Sequence, residues 1–172
     1  DQETNNPTCL VATSDFGNHE VIRRWNHFCL KANYHFLPVI LQNTIGYIGP
    51  FIVPGETPCF DCLRSRQNSN FEDLHLERAM EKNAFEGQLV VGFHPTMPAI
   101  LGNLAAFELT KFYSGFLPGT NVGTLIEINL LATFLTTRRI LKNPRCQACG
   151  PFLKHSPLEI KKHSIHLPWI KA

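Results

Sequence analysis

Short apolar runs and one stretch of helical spacing alternate in the first third of the chain. Residues 9–13 form a continuous apolar run, which predicts a buried strand. Between residues 19–32, apolar side chains recur at helical spacing, which predicts an amphipathic helix. A second apolar run at 36–41 predicts another strand. Strand, helix and strand in this order are typical of a parallel βαβ unit and place the chain in the α/β class.

The middle of the chain is less regular. Residues 42–53 carry two glycines and a proline among apolar side chains, which predicts two short antiparallel strands joined by a tight bend. The polar stretch 64–86 predicts a surface helix around 74–80 or partial disorder. No second helix is predicted within residues 64–86.

The clearest helical pattern lies at 98–113, where apolar residues leave almost no polar face. We therefore expect this helix to be buried on several sides. Gly102 lies within it and costs about 1 kcal/mol relative to alanine, which a closely packed neighbour would justify. Apolar runs at 124–129 and 133–140 predict two further strands.

Composition indicates one globular domain. The chain has 172 residues, of which 44% are hydrophobic and 17% charged. The net charge of +2 and the lack of a long basic run give no reason to expect a nucleic-acid partner. No apolar stretch reaches the roughly 18 to 20 residues that span a membrane. The polar residues 1–8 do not resemble a signal peptide and indicate a disordered or trimmed start.

Four of the six cysteines form two Cys-x-x-Cys pairs, which are Cys59 with Cys62 and Cys146 with Cys149. Each pair follows a turn that contains proline, and four thiolates are the usual ligands of a structural zinc ion. Residues 63–145 separate the pairs, so the zinc would join two distant segments of one fold. A redox dithiol and an iron–sulfur cluster are the alternatives. Metal-bound thiolates indicate a reducing, cytoplasmic location.

Three further segments resemble a known family. Residues 46–63 read GYIGPFIVPGETPCFDCL, and residues 143–150 read NPRCQACG. The helix at 98–113 contains Gly102, Glu108 and Lys111 in a G-x-x-x-x-x-E-x-x-K pattern. Together they resemble the ThiF-like, ubiquitin-activating-enzyme-type domain. The most similar branch is the ThiF-like component of cyclodehydratases that make thiazole- and oxazole-modified peptides.

The resemblance implies a Rossmann-type mixed sheet flanked by helices, with the cysteine pairs as a zinc clasp. It covers residues 9–150 as the carboxy-terminal half of such a domain, followed by a tail at 151–172. The G-x-G-x-x-G loop that adenylating members use is missing from the sequence. No cysteine lies between Cys62 and Cys146, which excludes the thioester route of ubiquitin-activating enzymes for this sequence.

Two residues after the first strand correspond to the nucleotide region of the family. Asp15 matches the carboxylate that relatives place near ATP-bound magnesium, and Asn18 lies close by in the sequence. The alternative interpretation is that Asp15 caps the following helix.

The function that the resemblance implies is a zinc-binding scaffold, without a catalytic side chain of its own. It would pair with a YcaO-type partner that uses ATP, hold a precursor peptide and form a homodimer. The alternative is the carboxy-terminal half of an ATP-dependent adenylyltransferase of the ThiF/MoeB/MccB type, which activates the carboxyl terminus of a carrier protein or peptide. In that alternative, ATP and magnesium would bind to this protein.

Overall fold

Helices and strands alternate along the part of the chain that the structure, a computed structural model, describes. That part comprises residues 8–15, 18–70, 73–86, 93–115 and 121–150. Residues 1–7 and 151–172, where the sequence predicts the start and the tail, lie outside it. The elements are, in chain order, β1 (Cys9–Asp15), α1 (His19–Ala32), β2 (His35–Gln42), β3 (Ile45–Ile48), α2 (Phe60–Ser69), α3 (Leu74–Phe85), α4 (Thr96–Ser114), β4 (Thr124–Asn129) and β5 (Phe134–Arg139).

The described strands form one five-stranded mixed sheet in the order β1-β2-β3-β4-β5. β1 and β2 are parallel and are joined by α1, which confirms the predicted βαβ unit. The other neighbours are antiparallel and include the two predicted carboxy-terminal strands. The α/β class and the mixed sheet flanked by helices are therefore confirmed.

Alternate residues of β2 point into two separate cores, as the period of two along a strand requires. Phe36 and Ile40 belong to the core under α1 and α2, which also contains Phe60. Leu37, Val39 and Leu41 belong to the core under α4. Because helices cover both faces, β2 is apolar along most of its length rather than alternating. This explains why the sequence shows a continuous run there.

The segment 42–53 contains one of the two predicted strands. β3 pairs with β2 in antiparallel orientation, as predicted. The second strand is reduced to isolated bridges, in which Ile52 pairs with Phe36 and Phe51 with Val122. Gly46 lies beneath α4, where a Cβ atom would overlap the side chain of Leu101. The absence of a side chain at residue 46 therefore allows α4 to approach the sheet.

The prediction that α4 is buried on several sides is wrong. Within α4 only Leu101 and Ala105 are buried. Ile100 and Phe107 keep 44% and 54% of their surface exposed. The apolar residues form two stripes, and only one of them faces the sheet. Helical spacing alone does not indicate how many elements pack around a helix.

Among the described residues, no neighbour packs closely enough on Gly102 to justify a glycine there. A Cβ atom at this position would meet no heavy atom of the described residues within 4 Å, apart from the backbone of its own helix. We therefore expect Gly102→Ala to raise the free energy of unfolding by about 0.5–1 kcal/mol, because alanine loses less backbone entropy in a helix. Urea denaturation would measure this, and a loss of stability would show that a neighbour does approach α4 here.

The polar stretch after the first cysteine pair contains more helix than the sequence predicts. α3 confirms the predicted surface helix and extends it to Phe85. α2 was not predicted, because its exposed half is polar and only its first turn is buried. No helix in the described ranges is long and apolar enough to cross a membrane.

Candidate metal centre

The structure brings the two cysteine pairs together at the base of α2. Cys59 immediately precedes this helix and Cys62 lies in its first turn. Cys146 and Cys149 lie in turns that follow β5. Sγ atoms of all four residues lie within 4.8 Å of one another. The two pairs are therefore far apart in sequence but adjacent in the fold, as expected if one ion joins distant segments.

The sulfur spacing fits a single tetrahedral ion. The Sγ atoms of Cys59 and Cys62 are 3.9 Å apart, those of Cys59 and Cys146 3.6 Å, and those of Cys62 and Cys149 3.4 Å. A zinc ion with Zn–S bonds of about 2.3 Å places its sulfurs about 3.8 Å apart. A disulfide would need about 2.05 Å, and all four cysteines are free.

The same spacing bears on the two alternatives. In an iron–sulfur cluster the four cysteines are divided among two or four iron atoms. Sulfurs that bind different iron atoms lie further apart than sulfurs around one ion. A redox dithiol needs only one pair and gives no reason for a second pair beside it. Burial of three of the four cysteines also keeps solvent away from the sulfurs. The arrangement therefore fits one metal ion shared by the four cysteines.

The sequence suggested that the first pair lies on a turn, but the structure places it at the start of helix α2. Cys59 occupies the N-cap position of α2, and its carbonyl accepts hydrogen bonds from the N–H groups of Cys62 and Leu63 at 3.1 and 3.3 Å. A helix amino terminus stabilises negative charge, and a thiolate next to it gains from this. Helix geometry thus supports the first two ligand positions.

The second pair does lie on turns. The Cys146 N–H donates to the Asn143 carbonyl at 3.0 Å, and the Gly150 N–H donates to the Cys146 carbonyl at 2.8 Å. The Asn143 N–H also donates to Sγ of Cys62 at 3.4 Å. This last bond crosses between the two segments. The partial positive charge of this N–H group faces a sulfur that would carry negative charge when metal is bound.

Contacts among the thiols distribute protons unevenly between them. Hydrogen bonding with Cys149 raises the pKa of Cys59 and lowers the pKa of Cys62. Neighbouring thiolates repel one another, so the cluster cannot hold four negative charges without a cation. A divalent ion would neutralise that repulsion and displace the remaining protons.

Side chains of α1 hold the amino terminus of α2 in place. Asp61, between the first two cysteines, accepts from Arg23 at 3.1 Å and lies 2.6 Å from Nε2 of His27. Its side chain is only 12% exposed, so water screens these contacts less than at an open surface. Fully buried Asn26 accepts the Phe60 N–H through Oδ1 at 3.2 Å. Sequence reasoning missed these residues, although Arg23, Asn26 and His27 share a helix face.

Asn26→Ala should destabilise the protein by about 1 kcal/mol or more. The change leaves the buried Phe60 N–H without an acceptor at the start of α2. Urea denaturation measures the loss, and Arg24→Ala is the control. Arg24 is exposed, and its partner among the described residues is Glu20 one turn away, a pair worth about 0.3–0.5 kcal/mol. Equal effects of the two variants would contradict the capping role of Asn26.

The predicted nucleotide-proximal residues lie at the end of β1 and at the start of α1. Asp15 is the last residue of that strand and is exposed. The interpretation of Asp15 as the helix cap is wrong, because Asn18 occupies the N-cap position of α1 and makes no side-chain capping bond. Oδ1 of Asn18 is buried, and no partner for it is found in the described ranges. Ligands of α/β sheets bind near the carboxyl ends of parallel strands, which is where Asp15 lies. A nucleotide role for Asp15 and Asn18 stays a prediction.

Solved structures share this fold. A heterocyclase in complex with substrate and cofactor superposes with a TM-score of 0.68 at 20% identity, covering 85% of this chain and 21% of the heterocyclase. E. coli MccB with ATP gives 0.63 at 18% identity, covering 84% and 40%. The heterocyclase TruD gives 0.59 at 21% identity, covering 83% and 22%. The chain thus spans less than half the length of each of these structures.

Sequence comparison gives the family. No curated protein sequence matches the chain. The sequence profile of the ThiF family matches residues 2–148, which is most of the chain and includes Cys59, Cys62 and Cys146. The predicted resemblance is confirmed, and the chain belongs to the ThiF family.

Proposed function

We propose that the chain is a zinc-binding structural component of an ATP-dependent cyclodehydratase. Such an enzyme installs azoline heterocycles in a ribosomal precursor peptide, as in bacteriocin biosynthesis. The observation that carries the proposal is the four-cysteine cluster in a fold shared with two heterocyclases. One of these was solved with substrate and cofactor. Membership of the ThiF family is consistent with the same role.

The zinc ion would be structural. Cys59, Cys62, Cys146 and Cys149 would fill all four positions of a tetrahedral ion and leave none for water or substrate. The ion would fix the start of α2 to the segment after β5. The chain's own residues would therefore shape and hold a surface, and we assign no catalytic side chain to it.

Chemistry is assigned to a partner of the YcaO type, which would activate the peptide backbone with ATP. Cysteine, serine or threonine side chains of the precursor peptide then attack the preceding amide carbonyl, and one water is lost for each ring. Both partner and precursor peptide would be found in the cytoplasm, where thiolates stay reduced. This chain would hold the peptide and dock the partner.

A homodimer is the expected assembly, and the outer stripe of α4 is the surface that supports it. Ile100 and Phe107 are exposed there beside the partly buried Leu104. Exposed large apolar side chains in one stripe favour burial against another surface. Light scattering should give a dimer mass for the protein and a monomer mass for Phe107→Asp. A monomer in both cases would remove the dimer from the proposal.

A second candidate function is adenylylation of a peptide or carrier-protein carboxyl terminus. The observation in its favour is the shared fold with E. coli MccB, which was solved with ATP. Asp15 at the carboxyl end of a parallel strand suits a role near magnesium-bound phosphates. This candidate needs a glycine-rich phosphate loop, which the present sequence does not contain.

Reconstitution separates the two functions. The protein is mixed with ATP and precursor peptides rich in cysteine, serine and threonine, with and without a YcaO-type partner. Under the cyclodehydratase proposal, mass spectrometry shows loss of water from the peptide only when both proteins are present. ATP–pyrophosphate exchange by the chain without the partner would refute the scaffold role and support adenylylation.

A further inference from the structure

β5 is an edge strand of the described sheet, because it pairs only with β4 there. The Ile140 N–H donates to the Gly123 carbonyl at 3.0 Å, which fixes the direction of alternate backbone groups. In an antiparallel ladder the direction reverses at each residue. Backbone N–H and C=O groups of Leu135, Thr137 and Arg139 therefore point away from β4. In the described sheet, no neighbouring strand pairs with them.

Large apolar side chains surround this edge. Edge strands in native proteins are normally kept short, charged or covered, because a bare edge pairs with other chains. The two arginines of β5 meet that requirement at one end only. At the other end and at both flanks large apolar side chains are exposed, with exposed fractions of 72% for Leu131, 63% for Phe134, 51% for Leu135 and 56% for Leu141.

Positive charge lies at the far end of the same edge. Residues 131–145 contain four basic side chains and no acidic one. Glu127 on the neighbouring strand binds Arg138 at 3.3 Å. Arg139 is exposed, and the ion pairs of the described residues do not include it. Nζ of Lys142 donates to a backbone carbonyl, that of Gly55, at 2.7 Å. Of these four basic side chains, Arg138 is the one with an ion pair among the described residues.

The charge argues against two obvious occupants. A second copy brings four basic and no acidic side chains in residues 131–145, so β5 paired with β5 would leave the arginines of both copies without a carboxylate opposite them. Residues 151–172 contain four lysines and one glutamate, so that segment is also basic. An acidic chain has neither problem.

We propose that the free edge of β5 binds an extended acidic peptide by strand addition. Backbone hydrogen bonds would form with Leu135, Thr137 and Arg139. Apolar side chains of the peptide would lie beside Phe134 and Leu135, and carboxylates beside Arg138 and Arg139. The proposal does not depend on heterocycle formation, because the edge lies on the sheet itself and uses none of the cysteines.

The test is a fluorescence anisotropy titration of the full chain. The probe is a fluorescein-labelled peptide of about eight residues, with alternating valine and threonine followed by alternating glutamate and threonine. We expect binding that weakens as sodium chloride is added, since exposed charges are screened. A peptide with lysine in place of glutamate should bind at least about tenfold more weakly.

Two variants locate the site. Thr137→Pro removes an N–H that faces away from β4, so the sheet ladder stays intact while the peptide loses a donor and at least about tenfold in affinity. Arg139→Glu should reverse the preference, so that the lysine peptide binds better than the glutamate peptide. Arg24→Glu on α1 makes the same charge change at an exposed site and should have little effect.

The outcomes decide the proposal even if one variant folds poorly. Circular dichroism checks the fold of each variant, and the charge reversal by Arg139→Glu stands without the proline variant. No binding of the glutamate peptide, equal binding of both peptides, or an equal effect of Arg24→Glu would each overturn it. Self-association that Thr137→Pro abolishes would also overturn it, because the occupant would then be a second copy.

Discussion

Cys62→Ser is expected to abolish metal retention and cooperative unfolding together. Its sulfur is buried, lies 3.4 Å from that of Cys149 and accepts the Asn143 N–H. A serine oxygen is a poor zinc ligand, and its shorter bond leaves the tetrahedron incomplete. Structural zinc contributes roughly 10–16 kcal/mol in small fingers, while whole domains are stable by about 5–15 kcal/mol. Loss of even half of the metal contribution, about 5–8 kcal/mol, would leave a domain at the low end of that stability range mostly unfolded.

Metal analysis and thermal denaturation measure this result. Protein purified without chelator should contain about one zinc per chain, and the variant should contain almost none. Cys9→Ser is the matched control, since Cys9 lies in β1 and outside the cluster. A variant that keeps its zinc and its melting temperature would show that the four cysteines are not the site. Zinc below about half an equivalent in the unmodified protein would count against four-thiolate binding.

The βαβ unit could be predicted because its signals are local. Strand β1 and helix α1 differ in the period of their apolar residues, and that period depends only on backbone geometry. The predicted helix at residues 19–32 coincides with the observed one. β2 was equally clear because both of its faces are covered. The apolar pattern of each of these elements shows which of its faces are buried.

Features that depend on other elements could not be predicted. α2 begins at Phe60, whose backbone N–H is held by Asn26 from a different helix. The exposure of Phe107 depends on which stripe of α4 meets the sheet. In both cases the deciding contact joins residues far apart in the chain, and local patterns do not report it. Amino-acid composition and spacing alone therefore do not predict these two features.

The cysteine site lies between these two cases. Two Cys-x-x-Cys pairs indicate a shared ion because four thiolates need one, whatever the fold. Their sequence did not show that Cys59 caps a helix or that Asp61 is held by Arg23 and His27. That the four cysteines come together could thus be predicted, whereas the contacts that support them required the tertiary structure.

Gly150→Ala is expected to disrupt the second cysteine pair without changing any ligand. A Cβ atom at this position would overlap the carbonyl oxygen of Cys146 and lie 3.0 Å from that of Pro144. Both atoms belong to the backbone, so no side chain can turn aside to make room. The turn that carries Cys146 would have to move, which shifts its sulfur away from that of Cys59. Overpacking of this kind typically costs about 1–3 kcal/mol, and weaker metal binding adds to it.

A competition assay with a zinc chelator, together with the melting temperature, tests this expectation. Gly150→Ala should release zinc at a lower chelator concentration and unfold at a lower temperature than the unmodified protein. Gly102→Ala is the matched control, because it adds the same methyl group where no described residue outside the helix backbone lies within 4 Å. That control should keep its zinc and gain stability. If Gly150→Ala also kept its zinc, the turn would be able to relax around the added methyl group, and the spacing of the four sulfurs would not depend on it.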